Sequence, residues 1–263
     1  FQKLRNWLKK PDETEQVDLG LLREQVAALL ADDPTDDLGE LLEDIHSADV
    51  AALLDELYGD DVAALFARLP TRVAAEVLVF TSTRVRTQLV DEVEDARLAE
   101  LLDAMPVDDA AEFVSDLPEP TAERLIGLMH PEEARDVRHL LAYKGETAGR
   151  LMTTDVAALR SDWTVSDTLD YLRSLGDATE TLHYLYCIDA ERTLVGVVPL
   201  RALLLAKAEA RIATIMIPDV VAVPVTADQE ELADMIARYD LVAMPVVDAQ
   251  NRLLGVVTVD DAL

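Results

Sequence analysis

The sequence predicts a multidomain α and α/β protein: an all-α superhelical region followed by two βαββα units packed as a pair. Three observations carry this prediction. Apolar residues in the first half recur at spacings of three and four, as in Val50, Leu53, Leu54, Leu57 and in Leu98, Leu101, Leu102, Met105, the spacing of one helical face. Proline interrupts that half at Leu69–Pro70, Met105–Pro106, Leu117–Pro118 and His130–Pro131, where it fits a helix start and would disrupt an interior. The second half repeats itself: LVGVVPLRAL around Gly196 returns as LLGVVTVDDAL around Gly255, 59 positions on, and Met152 returns as Met216, 64 positions on.

In chain order, Phe1–Lys10 is basic, with Leu4, Trp7 and Leu8 at helical spacing. We expect an N-terminal helix packed on the next one, rather than a surface anchor. Residues 1–18 form the tail, ending in the polar, acidic stretch Pro11–Asp18. Residues 19–144 form the helical domain. Its helices of about 10 residues are marginal alone and must stack on one another. In Tyr143–Asp155, Gly145 and Gly149 are expected to end the last helix and turn the chain. Residues 145–210 and 211–263 are the two α/β units. YLYCI and MPVV read as apolar strands, each followed by a polar turn and a β-branched strand. Thr164 with Asp167, and Thr226 with Gln229, are expected to cap the amphipathic helix of each unit. Arg201–Arg211 is expected to form the last helix of the first.

Composition narrows the function. The 263 residues include 52 acidic and 23 basic side chains, a formal charge of −29. Such a surface repels nucleic-acid phosphates and anionic membranes and attracts cations. Cys187 is the single cysteine, which excludes an internal disulfide and fits a reducing compartment. It is expected to be a small core residue. No apolar run approaches the ~20 residues that span a bilayer. The start at Phe1 and the helix-like end lead us to expect a piece of a longer chain. His46, His130, His139 and His183 stand at no ligand spacing, which disfavours zinc. No triad or phosphate loop is present, so no enzymatic activity is expected.

Both repeats resemble cystathionine-β-synthase (CBS) regulatory domains. Stacked helices, the junction YxxxTAGxLMT (Tyr143, Thr147, Ala148, Gly149, Leu151, Met152 and Thr153) and then a CBS pair together resemble the cytosolic region of the MgtE family of magnesium transporters. In that family the chain continues through a connecting helix into a dimeric membrane pore. The resemblance implies a Mg²⁺-sensing regulatory region at the cytoplasmic face of the membrane, a homodimer formed through the CBS pairs, and a pore domain elsewhere in the same chain. This piece alone is expected to be soluble. Mg²⁺ takes oxygen ligands and keeps several waters, and the resemblance singles out Glu76, Asp108, Glu112, Asp228, Glu230, Asp240 and Asp261 as its acids. Glu112 stands where the family has Asp. Asp108 and Glu112 are i,i+4 on one helical face.

The implied mechanism is electrostatic. Like charges about 4 Å apart repel by about 4 kcal/mol near a protein surface, and a bridging cation reverses that sign. No Lys or Arg stands within three positions of Asp108 or Asp261 in sequence. ATP is the second ligand the resemblance implies. Nucleotide-binding CBS units resemble G-h-h-T/S-x-x-D; the second copy has Gly255, Thr258 and Asp261, whereas the first has Pro199 and Ala202 in place of the hydroxyl and the acid. Tyr184, Arg201 and Thr258 would line such a site, with Asp261 assigned to the metal. Two alternatives stand beside the sensor: an adenine-nucleotide-sensing CBS module, and a helical scaffold for a protein partner.

Overall fold

A computed structural model describes Val26, Leu42 and residues 45–175 and 182–262. The N-terminal helix and linker expected over residues 1–18 lie outside the described residues. The chain divides into two compact units, residues 1–105 with 119–129, and residues 106–118 with 130–263.

In the first unit the described helices are α1 (Ser47–Glu56), α2 (Asp60–Phe66), α3 (Thr71–Phe80), α4 (Thr83–Glu92), α5 (Asp95–Asp103) and, after the excursion through the other unit, α7 (Glu119–Ile126). Contacts run between α1 and α3, α2 and α4, α3 and α5, and α5 and α7. The most extensive packing is therefore between a helix and the next but one. The apolar spacing supplies the core: Val50, Leu53, Leu54, Leu98, Leu101 and Leu102 are all buried. Polar groups repeat the same step. Arg84 donates to the Asp55 carbonyl, Gln88 to that of Gly59 and Arg97 to that of Leu69, over separations of 28 or 29 residues. The proline rule holds: Pro70 is the N-cap of α3, and α7 begins directly after Pro118.

The second unit contains α6 (Val107–Ser115), α8 (Pro131–Leu141), the short α9 (Ala148–Leu151) and both CBS repeats. Pro106 caps α6 and Pro131 opens α8. The first repeat runs β1 (Ala158–Arg160), α10 (Val165–Leu175), β2 (Tyr184–Ile188), β3 (Leu194–Pro199) and α11 (Leu200–Leu205). After α12 (Ile212–Ile215) the second runs β4 (Val223–Pro224), α13 (Gln229–Tyr239), β5 (Ala243–Val247), β6 (Leu253–Thr258) and α14 (Val259–Ala262). Each sheet has three strands in sequence order, the first pair parallel and the second antiparallel. The parallel pair needs the intervening helix as its crossover. Tyr186, Leu194, Val247, Leu253 and Val256 form one cluster between the sheets. The two hairpin turns face each other: Leu194 N–H donates to Asn251 and Leu253 N–H to Arg192. Both acceptors sit at positive φ, 67° and 60°.

Each repeat's opening segment belongs to the other repeat. Ala148 and Gly149, on α9, donate to the Ala227 and Val225 carbonyls, and Thr153 exchanges two hydrogen bonds with Val256. Conversely, Ile212 and Ala213 on α12 donate to Trp163 and Ser161, and Ile217 pairs with Val197. A Cβ at Gly196 would meet Met216 Sδ at 2.7 Å; one at Gly255 would meet Met152 and fall on the Thr153 carbonyl oxygen. The two repeat glycines are thus the places where the other copy's Met segment crosses a strand.

Four sequence expectations are corrected. Thr226 does not cap α13; Asp228 does, accepting from Glu231 N–H at 2.8 Å. Asp228 is the true counterpart of Thr164, whose capping box with Asp167 is present. The helix expected over Arg201–Arg211 ends at Leu205. Helix α8 ends at Leu141, before Gly145, and the chain then turns through Gly145 and Glu146, the latter at φ 59°. Gly149 instead lies inside α9, where a Cβ would collide with Val225 Cγ2 and the Tyr143 ring.

Candidate functional site

Helix α6 begins with Pro106 in extended conformation, so its first turn carries Asp108 and Asp109. Acids are favoured there by the positive end of the helix dipole. Asp108 is 8% exposed, while Glu112, one turn on, and Asp116, at the C-cap, face solvent. β6 leads directly into α14, so Thr258 is buried at the strand's end while Asp260 and Asp261 stand in the first turn. Thr258 Oγ1 donates to Asp261 Oδ2.

Asp261 and Glu112 of α6 lie within electrostatic reach of each other in the second unit. The Asp261 carboxyl lies above its usual range, first because it is buried and then because Asp260 and Glu112 are near; the Thr258 hydrogen bond opposes the shift. A carboxylate from α6 and one from α14, 149 positions apart in sequence, therefore share one electrostatic environment.

Arg150 lies in the same corner. The junction pattern left this position open. Arg150 is 8% exposed, and its Nη2 donates to the Ala111 carbonyl on α6 at 2.5 Å. Burial lowers its pKa, while Glu112, Asp108 and Asp116 hold the charged form. The expectation that the α6 acids lack a neighbouring cation is corrected: residues within three positions in sequence could not reveal one supplied by α9. Asp116 and Asp260 also belong to the corner and were not singled out by sequence.

The remaining predicted residues lie elsewhere. Glu76, on α3 in the first unit, accepts from Ser47 Oγ at 2.8 Å and pairs with Arg72 at 2.7 Å. Asp228 caps α13, Glu230 is exposed in its first turn, and Asp240 ends it in the left-handed region at φ 53°. Among the described residues, no three of the predicted acids bring ligand atoms within 4.8 Å of one another. The donor set is oxygen-only, which suits Mg²⁺ held partly through its own waters. For a nucleotide, Tyr184 is half-buried, Arg201 exposed and Thr258 buried against Asp261. Cys187 is a core residue, its thiol pushed up to about 12 by burial.

The MgtE intracellular N domain matches residues 45–146, and the CBS domain matches 148–209 and 212–263. The fold coincides, at TM-score 0.86 and 37% identity, with a structure described as the cytosolic domain of the Mg²⁺ channel MgtE in complex with ATP; the match covers 91% of this chain and 98% of that one. The chain belongs to the MgtE family. A structure described as the soluble part of a magnesium transporter matches at TM-score 0.85 and 29% identity, over 93% of this chain and 96% of that one. Among full-length MgtE relatives, the magnesium transporter of Thermus thermophilus is 43% identical over 141 residues, 54% of this chain and 31% of that protein. That of Enterococcus faecalis is 42% identical over 132 residues, 50% of this chain and 29% of that protein. The matched part spans about a third of these relatives' length. The relatives are transporters rather than enzymes. Among the described residues no helix is long and apolar enough to cross a membrane.

Proposed function

We propose that this MgtE cytosolic region senses Mg²⁺ and regulates a membrane pore built by another part of a longer chain. The observation that carries the reading is that the Asp261 carboxyl, raised first by burial, is raised further by Asp260 beside it and by Glu112 of α6. A folded protein that brings like charges together stores repulsion, and a divalent cation relieves it. The ion then favours the conformation in which the acids are together, which is what a shift of population requires. Asp108, Glu112 and Asp261 would hold the ion, and Asp116 and Asp260 would add to the field. Glu76, Asp228, Glu230 and Asp240 remain assigned to Mg²⁺ by family resemblance.

A Mg²⁺ titration at constant ionic strength tests this reading. Protease protection of Tyr143–Asp155 and thermal stability should both rise near 10⁻³ M, a range few-carboxylate oxygen sites can reach on the order of magnitude. The same rise with NaCl of matched ionic strength would show screening alone and defeat the proposal.

The similar structure solved with ATP favours a nucleotide as a second ligand. In this chain the Thr258 hydroxyl already donates to Asp261, so a nucleotide would have to take that hydrogen bond apart. Dimerisation through the CBS pair is part of the same proposal: Leu204, Leu205 and Ile217 are more than half exposed. Leu205→Glu should reduce the mass measured by light scattering at micromolar concentration.

A further inference from the structure

The acidic corner carries a cation of its own, held where it cannot easily withdraw. The Arg150 backbone lies on α9, which is tied to the second repeat by the hydrogen bonds of Ala148 and Gly149 to Ala227 and Val225. Gly149 lets that segment approach so closely that no Cβ fits. The side chain then reaches to the middle of α6, where one guanidinium nitrogen donates to Ala111, the residue before Glu112. The other, Nη1, is buried without a hydrogen-bond partner. Glu112, Asp108 and Asp116 all stabilise its charge. Guanidinium stays protonated at any physiological pH, so this positive charge is permanent.

The first repeat supplies the contrast. At the positions of Asp260 and Asp261 it has Arg201 and Ala202, and at the position of Arg150 it has Thr214. Thr214 is exposed and donates to the Arg211 carbonyl of its own turn. Where the acids are missing, the buried arginine is missing too.

We propose that Arg150 is a built-in counter-cation of the α6–α14 acidic corner, occupying electrostatically the place of a divalent ion and so setting how much Mg²⁺ the corner requires. The inference rests on the Mg²⁺ reading above. With Arg150 present, part of the repulsion among Asp108, Glu112 and Asp261 is already relieved, so an arriving ion gains less. Without it, the ion becomes the main cohesive charge. Arg150 is thus a positioning residue that holds α6 on the second repeat and a threshold-setting one.

The test is an Arg150→Gln variant of the 263-residue chain, titrated with MgCl₂ at constant ionic strength and followed by calorimetry and thermal melting. Apparent Mg²⁺ affinity should tighten about tenfold and the Mg²⁺-induced rise in Tm should grow, although the metal-free protein melts lower. Arg150→Lys, which keeps the charge without the planar fork, should retain near-wild-type affinity, and Glu112→Gln added to Arg150→Gln should cancel the gain. Unchanged Mg²⁺ affinity in Arg150→Gln, with wild type responding normally, overturns the counter-cation role and leaves the sensor reading intact. No response in either protein beyond the NaCl control overturns both. If Arg150→Gln does not fold without divalent ion, millimolar MgCl₂ should restore its near-UV circular dichroism. Failure to do so while Arg150→Lys folds normally would mark Arg150 as a packing residue and overturn the proposal.

Discussion

The two CBS repeats share one backbone plan and differ in what they do with its last turn. In the first, β3 ends in Pro199 and α11 presents Arg201 and Ala202. In the second, β6 ends in Thr258 and α14 presents Asp260 and Asp261, with Glu112 of α6 close enough to raise the buried Asp261 further and Arg150 near Glu112. Strand order, hairpin turns and exchanged Met segments are common to both. Duplicating a fold therefore does not duplicate its charges: six residues after each repeat glycine stands Ala202 in one copy and Asp261 in the other.

The largest expected difference lies in the glycines themselves. A methyl at Gly255 would fall on the Thr153 backbone oxygen, which cannot move without breaking its pairing with Val256. A methyl at Gly196 would meet mainly the flexible Met216 side chain. Gly255→Ala should cost about 3 kcal/mol and Gly196→Ala about 1 kcal/mol, the range for overpacked sites. Urea unfolding midpoints would measure both, and equal costs would show that the crossings are equivalent after all.

Function should separate the repeats next. Asp261→Ala is expected to raise the Mg²⁺ concentration for half-maximal stabilisation at least about tenfold, or about 1.4 kcal/mol, whereas Arg201→Ala should leave it within about twofold. A comparable shift from both would disperse the site over the whole CBS pair. The converse experiment gives the first repeat what it lacks. Pro199→Thr with Ala202→Asp completes the hydroxyl-and-acid pattern, and ATP binding measured by calorimetry should tighten about tenfold. No change would mean that the pattern alone does not make a nucleotide site in this fold.

A smaller effect tests the acidic corner through pH. The Asp261 carboxyl is raised in the folded state, by burial first, so between the unfolded and folded pKa the native state holds more protons. Stability from this group is therefore greatest at low pH and falls as pH rises through the folded pKa. Asp261→Asn, which can still accept from Thr258, should raise the Tm of the Mg²⁺-free protein at pH 7 by about 2 °C. The gain should disappear once the wild-type carboxyl is protonated. A loss of Tm at pH 7 would show that the hydrogen bond with Thr258 outweighs the stored repulsion.

Local pattern made much of the fold legible. The strand YLYCI is β2 residue for residue, and the prolines mark where helices start. What stayed illegible depends on which segments lie side by side. Pattern places Met152 and Met216 at the head of their own repeats, but it cannot show that each packs on the other copy's glycine. The acids Asp108, Glu112 and Asp261 were legible as candidates through the family pattern; the structure puts Glu112 within electrostatic reach of Asp261 and ties Arg150 to α6. The arginine itself was not, because its partners are 34 or more positions away. Gly149 was assigned to turning the chain, whereas its role is close approach. Thr226 lost the cap to Asp228 because a capping pattern two residues early looks equally good on paper.

The exchanged opening segments also set a path for force. A displacement of α8 is carried along residues 142–153 into β4 and β6 of the second repeat, through the Ala148, Gly149 and Thr153 backbone hydrogen bonds, without first loading the sheet of the repeat that follows in sequence. Those bonds lie beside one another, so a pull along the segment must shear them together rather than open them one at a time. The second repeat is in this sense the first to receive a movement of α8, and the first repeat is joined to it through the cluster around Tyr186 and Val256 and the hydrogen bonds of the facing hairpin turns.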